Sequence, residues 1–397
     1  NCKSGASLVN PIGLGGELVE TSSCYPTVSI DGLPTFVKSI DWHSVSLEPL
    51  HKAQTNDTQH DIFEPHENPF IRGLVEDYYE SGMIRLSAVR IALNQWLAGQ
   101  RYQPDKALLS LPEALLYTST WQETEAGQVT DYLAGIAPEA FTVKDLSLLS
   151  KLLIRHYLPT DVLIDASLLH SAQSFMMGAV QAHWQAKPET SISLAQVAAL
   201  RDTLPTTLEA VVNALRLAPV AKASLDYGAV RAAENIVALS SQARASLQNV
   251  LMAQALKKLS GDHTATPQQL EQQLGDAFAE LNRDWRRIAL TETGEMSLQG
   301  FVAAQAFGTR LKRLEQYRGA CGFCKKIDGT VMEVVDPEQQ DKDGRTQIWV
   351  GKTNIGRSSS ARKRTEDGLV PRDEQELWWL AAGVMHPHCR GLWVRVT

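Results

Sequence analysis

Cys321-Gly322-Phe323-Cys324-Lys325-Lys326-Ile327-Asp328-Gly329-Thr330-Val331-Met332-Glu333-Val334-Val335 is the stretch on which the reading of the fold turns. It opens with two cysteines at the i, i+3 spacing that lets two thiolates converge on one ion. It continues through Asp328-Gly329, a hairpin turn signal, into an apolar strand candidate. Further along, His386-Pro387-His388-Cys389 repeats the same spacing, and Gln347 to Val350 and Leu392 to Val396 are further strand candidates. The expected fold is therefore mainly α with a C-terminal α+β domain over residues 282–397. A zinc ion held by Cys321, Cys324, His386 and Cys389 would close that domain, with all four positions filled by protein and none open for chemistry.

Other readings of the cysteines stay open at this stage. A disulfide or reduced buried thiols fit the same residues. A thioredoxin-type redox pair normally follows a strand and opens a helix, whereas here a helix is expected to lead in and a hairpin to follow. The base-deaminase pattern also needs a His-x-Glu, and none of the 10 histidines is followed two residues later by Glu. His388 is expected to be a bystander, although it could stand in for His386.

Upstream, residues 73–281 have the texture of a helical body. Thr142 and Asp145 form a capping-box pattern ahead of the apolar stripe Leu146, Leu149, Leu153, Tyr157, which Pro159 ends. Ile236, Leu239, Ala243, Leu247, Val250, Leu251 and Ala255 make a second stripe, with Lys257 and Lys258 in its last turn and Gly261 beyond. A further helix is expected from about Asp284 to Tyr317, with possible breaks at Gly294 and Gly300. Residues 1–72, rich in Pro, Ser, Thr and Gly, read as an extended N-terminal arm that gains order by docking. His60, Asp61, His66 and Glu67 within it are explained by loop polarity rather than by a metal cluster.

The net charge of −7 excludes a protein that coats nucleic acid over its whole surface. Between Arg345 and Arg372, however, seven basic residues stand against two acidic ones. Arg357, Arg362, Lys363 and Arg364 are the candidate polyanion contacts of what reads as a mobile basic loop, Gly351 to Arg364. Gly351-Lys352-Thr353 within it is not a phosphate loop, because the earlier glycine of that motif is replaced by Thr346. No apolar run reaches the ~18 residues of a membrane helix, and the N-terminus lacks the pattern of a signal peptide, so cytosolic synthesis is expected.

In order along the chain stand Trp285-Arg286-Arg287-Ile288-Ala289-Leu290-Thr291-Glu292, Tyr317, the Cys-x-x-Cys with Ile327-Asp328-Gly329, and His386-Pro387-x-Cys389-Arg390. This series resembles the C-terminal domain of the phage Mu protein F-like minor head proteins, a head-morphogenesis family that includes the minor head protein of the Bacillus phage SPP1. The resemblance covers about the last 115 residues. It implies a virion component of a tailed phage, made in the host cytoplasm and placed in the head interior or at the portal vertex. The implied partners are the portal protein, the major capsid protein and packaged DNA, with roles in head assembly and DNA ejection. Carried over by position, the family's ligand pattern falls on Cys321, Cys324, His386 and Cys389. Two departures are the long segment between the pairs and Gly391, where many relatives have a further cysteine. Related domains occur fused to toxins, and Arg287 with Glu292 is similar to the Arg and Glu of ADP-ribosyltransferases, which gives the enzymatic alternative.

Overall fold

A computed structural model describes residues 62–99, 114–118, 120–137, 140–186, 192–217, 219–366 and 368–396. The arm expected over residues 1–72 lies outside the described residues as far as position 61, and with it His60 and Asp61. The helices in chain order are α1 (Pro69–Leu97), α2 (Ala114–Tyr117), α3 (Glu123–Ala134), α4 (Val143–Tyr157), α5 (Thr160–Gln185), α6 (Leu194–Asp202), α7 (Leu208–Leu215), α8 (Pro219–Leu259) and α9 (Pro267–Ala303). Then come β1 (Arg310–Leu314), α10 (Gly322–Ile327), β2 (Val331–Val334), β3 (Gln347–Ile348), β4 (Arg362–Thr365), β5 (Gly368–Pro371) and β6 (Leu392–Arg395). The protein is thus mainly helical with a small C-terminal sheet region, and no helix among the described residues is long and apolar enough to cross a membrane.

The chain forms two compact units. One comprises residues up to Tyr78, Ala166–Ala232 and Arg287–Thr397; the other comprises Tyr79–Asp165 and Ala233–Arg286. The boundaries expected at residues 72/73 and 281/282 both fall inside helices, α1 and α9. Texture changes along the sequence mark where strands begin, whereas α1, α5, α8 and α9 each supply residues to both units.

In the second unit the capping box forms as expected. Thr142 Oγ1 accepts from Asp145 N at 3.3 Å, and Asp145 Oδ2 accepts from Thr142 N at 2.8 Å. Leu146, Leu149 and Leu153 are buried, as are Ile236, Leu239, Ala243, Leu247 and Leu251 on α8. Helix α8 ends where Gly261 takes φ +71°, with Gly261 N donating to Lys258 O and Asp262 N to Lys257 O.

In the first unit α9 runs unbroken through Gly294 and Gly300. The glycines serve packing instead. A Cβ at Gly300 would lie 2.0 Å from the Phe175 carbonyl oxygen, and one at Gly178 would lie 1.7 Å from that of Ser297. The backbones of α5 and α9 therefore touch, and the crossing has no room for a methyl group. Gly178→Ala is expected to force them apart and cost about 3 kcal/mol, read as a lower urea midpoint at unchanged slope. An unchanged midpoint would contradict the close crossing.

Beside this crossing His170 is buried. Its Nε2 shares a 2.6 Å hydrogen bond with Thr293 Oγ1, and its ring stacks on Tyr78 with centroids 4.1 Å apart. Burial pushes its pKa down to about 3. The folded state then binds fewer protons than the unfolded chain between that value and about 6.5, so this contribution to stability is lost as pH falls through that window. The loss is expected to reach about 3 kcal/mol at pH 4. Stability measured from pH 7 to 4 should fall more steeply in wild type than in His170→Gln; equal slopes would show that His170 is not the group.

Two apolar clusters fill the first unit. One joins Phe70 and Leu74 of α1, Phe175 and Val180 of α5, Leu200, Leu215 and Leu225 to Met296. The other packs Leu298, Phe301 and Val302 of α9 on Leu311, Met332, Val334, Ile348, Leu392 and Trp393 of the sheet. The sheet order is β3-β2-β1-β6, with β1 antiparallel to both neighbours and β2 parallel to β3. Three of its strands lie at or near the expected positions, but β1 falls where helix was expected. Its burial alternates, and the second inward position is taken by Arg313. A charged residue at an inward place hides the strand's period of two.

Candidate metal centre

Between β1 and β2 the chain does not make the expected hairpin. Cys321, with φ −71° and ψ 171°, is the N-cap of α10, and Gly329 at φ +80° turns the chain into β2. The cysteine pair therefore follows a strand and opens a short helix, so the local setting no longer speaks against a redox pair. The convergence of a second segment does: the loop before β6 brings His386 and Cys389 onto the same sulfurs.

His386 Nε2 lies 3.3 Å from Cys321 Sγ and 3.1 Å from Cys324 Sγ, and Cys324 Sγ lies 3.9 Å from Cys389 Sγ. Around a tetrahedral zinc with Zn–S near 2.3 Å and Zn–N near 2.05 Å, ligand atoms sit about 3.8 Å (S to S) and about 3.6 Å (S to N) apart. These three distances lie within about 0.5 Å of tetrahedron edges, and Cys389 joins the group through Cys324. Cys324 and Cys389 are buried and belong to the sheet-side apolar cluster, while Cys321 is half-buried. The three are free thiols.

The histidine is oriented from behind. His386 Nδ1 bonds the Pro387 carbonyl at 2.8 Å, which leaves Nε2 for the sulfurs. Trp378 stacks on its ring with centroids 5.6 Å apart, and Phe323 meets Trp378 edge-on at 5.4 Å. His388 takes φ +63°, and its backbone N donates to Thr291 Oγ1. Among the described residues it is not one of the clustered ligand atoms.

Among the described residues, two triplets each hold their ligand atoms within 4.8 Å of one another, Cys321–Cys324–His386 and Glu315–Cys324–Cys389. Glu315 and its partner Arg313 were not legible as site residues. Arg313 Nε donates to Glu315 Oε1 at 2.6 Å, and Nη2 lies 3.4 Å from Cys389 Sγ, with both side chains fully buried. Burial works against a Cys389 thiolate, but the bond from Cys324, the Arg313 charge and His386 outweigh it and hold its pKa well below the usual thiol range. Cys324 is pushed the other way, first by its bond to Cys389 and then by burial. Burial also raises Glu315, with Arg313 offsetting only part of it. The set is a Cys/His cluster compatible with a metal site.

No family model, curated protein or solved structure matches the chain.

The basic stretch is not a plain loop. β4 pairs with β5 in a two-stranded ribbon, and much of its charge is engaged within the chain. Lys363 Nζ reaches Glu376 at 2.7 Å, and Arg372 lies 3.8 Å from the same carboxylate. The Arg357 guanidinium sits 3.6 Å over the Trp379 ring and donates to the Leu377 carbonyl. Of the four expected polyanion contacts, Arg362 and Arg364 are exposed. Lys352 is buried between Trp349 and Trp379, 4.8 Å from each ring, and donates to the carbonyls of Gly344 and Gln347.

For the enzymatic alternative, Arg287 is exposed whereas Glu292 is buried on the same helix. Glu292 accepts three hydrogen bonds from Arg231, at 3.2, 3.1 and 2.6 Å. Its carboxylate is occupied as a structural counter-ion.

Proposed function

We propose that this protein is a structural minor head protein of a tailed phage. It docks on the portal or the major capsid protein and serves head morphogenesis and DNA delivery, without catalysis of its own. Its C-terminal sheet is closed by a zinc ion on Cys321, Cys324, His386 and Cys389. The observation that carries the reading is the convergence of those four side chains: the two motif segments that resemble the Mu F-like domain meet at one point, 62 to 65 residues apart in sequence. The zinc ties the β1–α10–β2 segment to the loop that enters β6. Supporting a binding role rather than an enzymatic one, Glu292 is committed to Arg231 by three hydrogen bonds.

The test is co-sedimentation of the purified chain with portal rings and with procapsids of the same phage. Stable, saturable association with either is expected. A chain that sediments alone in both mixtures would overturn the proposal.

A further inference from the structure

The two ligand triplets share Cys324, and one of them already holds a cation. Arg313 lies against Glu315 and Cys389, fully out of water, with its guanidinium 5.3 Å from the Trp393 ring centroid. A metal ion in that triplet would face a fixed positive charge, so the ion belongs with Cys321, Cys324 and His386, and Cys389 closes the fourth vertex from the Arg313 side. Resting on the zinc reading above, we propose that Arg313 is a positioning residue of the centre. Its Nη2–H···S bond fixes the Cys389 sulfur at the fourth vertex.

A chain of close contacts holds the guanidinium in this place. Glu315 Oε1 accepts from Arg313 Nε, and Glu315 N donates to Asp328 Oδ1 at 2.9 Å. The carboxylate occupies the space over Gly391, where a Cβ would lie 2.2 Å from it. A side chain at 391 would displace the Glu315 carboxylate, which orients Arg313, which in turn bonds Cys389. The centre is built from both sides: Trp378 and the Pro387 carbonyl set the imidazole, and Arg313 sets the sulfur opposite.

The experiment uses the full chain, reduced and loaded with cobalt(II), with zinc affinity read by chelator competition. Wild type should bind one ion with the thiolate-to-cobalt absorption of three sulfurs. Arg313→Gln should still bind one ion, about 10- to 100-fold more weakly, with absorption falling toward that of two sulfurs. In a Cys389→Ser background the same substitution should change affinity less than about threefold, because the sulfur it acts through is gone. Should Arg313→Gln fail to fold, Arg313→Lys takes its place in the cycle, with an expected loss of about three- to tenfold that again vanishes with Cys389→Ser. A wild-type spectrum and affinity in the Arg313 variant, or an equal loss in both backgrounds, overturns the role of Arg313 alone. Wild type that takes up neither cobalt nor zinc overturns the centre itself, and this inference with it.

Discussion

Glu292→Ala is expected to destabilise the protein by about 3–5 kcal/mol, because it strands a guanidinium that the fold keeps out of water. Glu292 is 1% exposed, and the Arg231 side chain 15%. The nearest remaining carboxylate, Glu295, stands 4.0 Å away and is already engaged with Val384 N and Gln299. Burial alone would lower the Arg231 pKa, and the charges of Glu292 and Glu295 reverse that. Removing both partners with residues of similar volume, as in Arg231→Met with Glu292→Leu, should restore most of the loss, since the cost lies in the unpaired charge. Chemical unfolding of the single and double variants checks this; a double variant as unstable as Glu292→Ala would show that something other than the stranded charge is at work. The same argument bears on the enzymatic alternative: loss of a transferase signal in Glu292→Ala would report unfolding, so exposed Arg287 is the cleaner probe.

Stripping the proposed zinc is expected to lower the melting temperature by about 5 °C and to loosen a segment distant in sequence. At free zinc 1,000 times its dissociation constant, binding adds about 4 kcal/mol to the folded state, which converts to a shift of that order. Arg390 follows Cys389 directly and is buried. Its guanidinium donates to the carbonyls of Pro65 and Glu64 at 2.9 Å and of Ile62 at 3.3 Å, while Arg318 pairs with Glu64 at 2.9 Å. The loop that carries His386 and Cys389 thus also clamps the segment of chain entering α1. Hydrogen exchange should show residues 62–68 losing protection on chelation under reducing conditions, and regaining it with zinc. Protection unchanged by chelation would separate the clamp from the metal.

The legible parts of the molecule were those that rest on local physics. The capping box at Thr142, the stripes on α4 and α8, the Gly261 stop and the strands β2, β3 and β6 follow from short-range rules that the surrounding structure did not override. The proximity of the two Cys/His pairs was legible because i, i+3 spacing is itself a geometric statement. What escaped depends on contacts distant in sequence. Gly294 and Gly300 suggest breaks in isolation, yet Gly300 marks where α5 crosses α9. Arg313 lies in a stretch expected to be helical, and only the sheet shows it buried against Glu315 and Cys389. The basic run from Arg345 to Arg372 reads as a free patch because Glu376 and Trp379, which engage Lys363 and Arg357, come after it in the chain.

Zinc content of the freshly reduced full-length chain, measured beside Cys324→Ser, His386→Ala and His388→Ala, tests the centre most directly. One zinc per chain is expected in wild type and in His388→Ala, with stoichiometric zinc lost from Cys324→Ser and His386→Ala. Wild type without stoichiometric zinc, or a His388→Ala variant as depleted as His386→Ala, would contradict the assignment of these four residues as the staple of the C-terminal sheet.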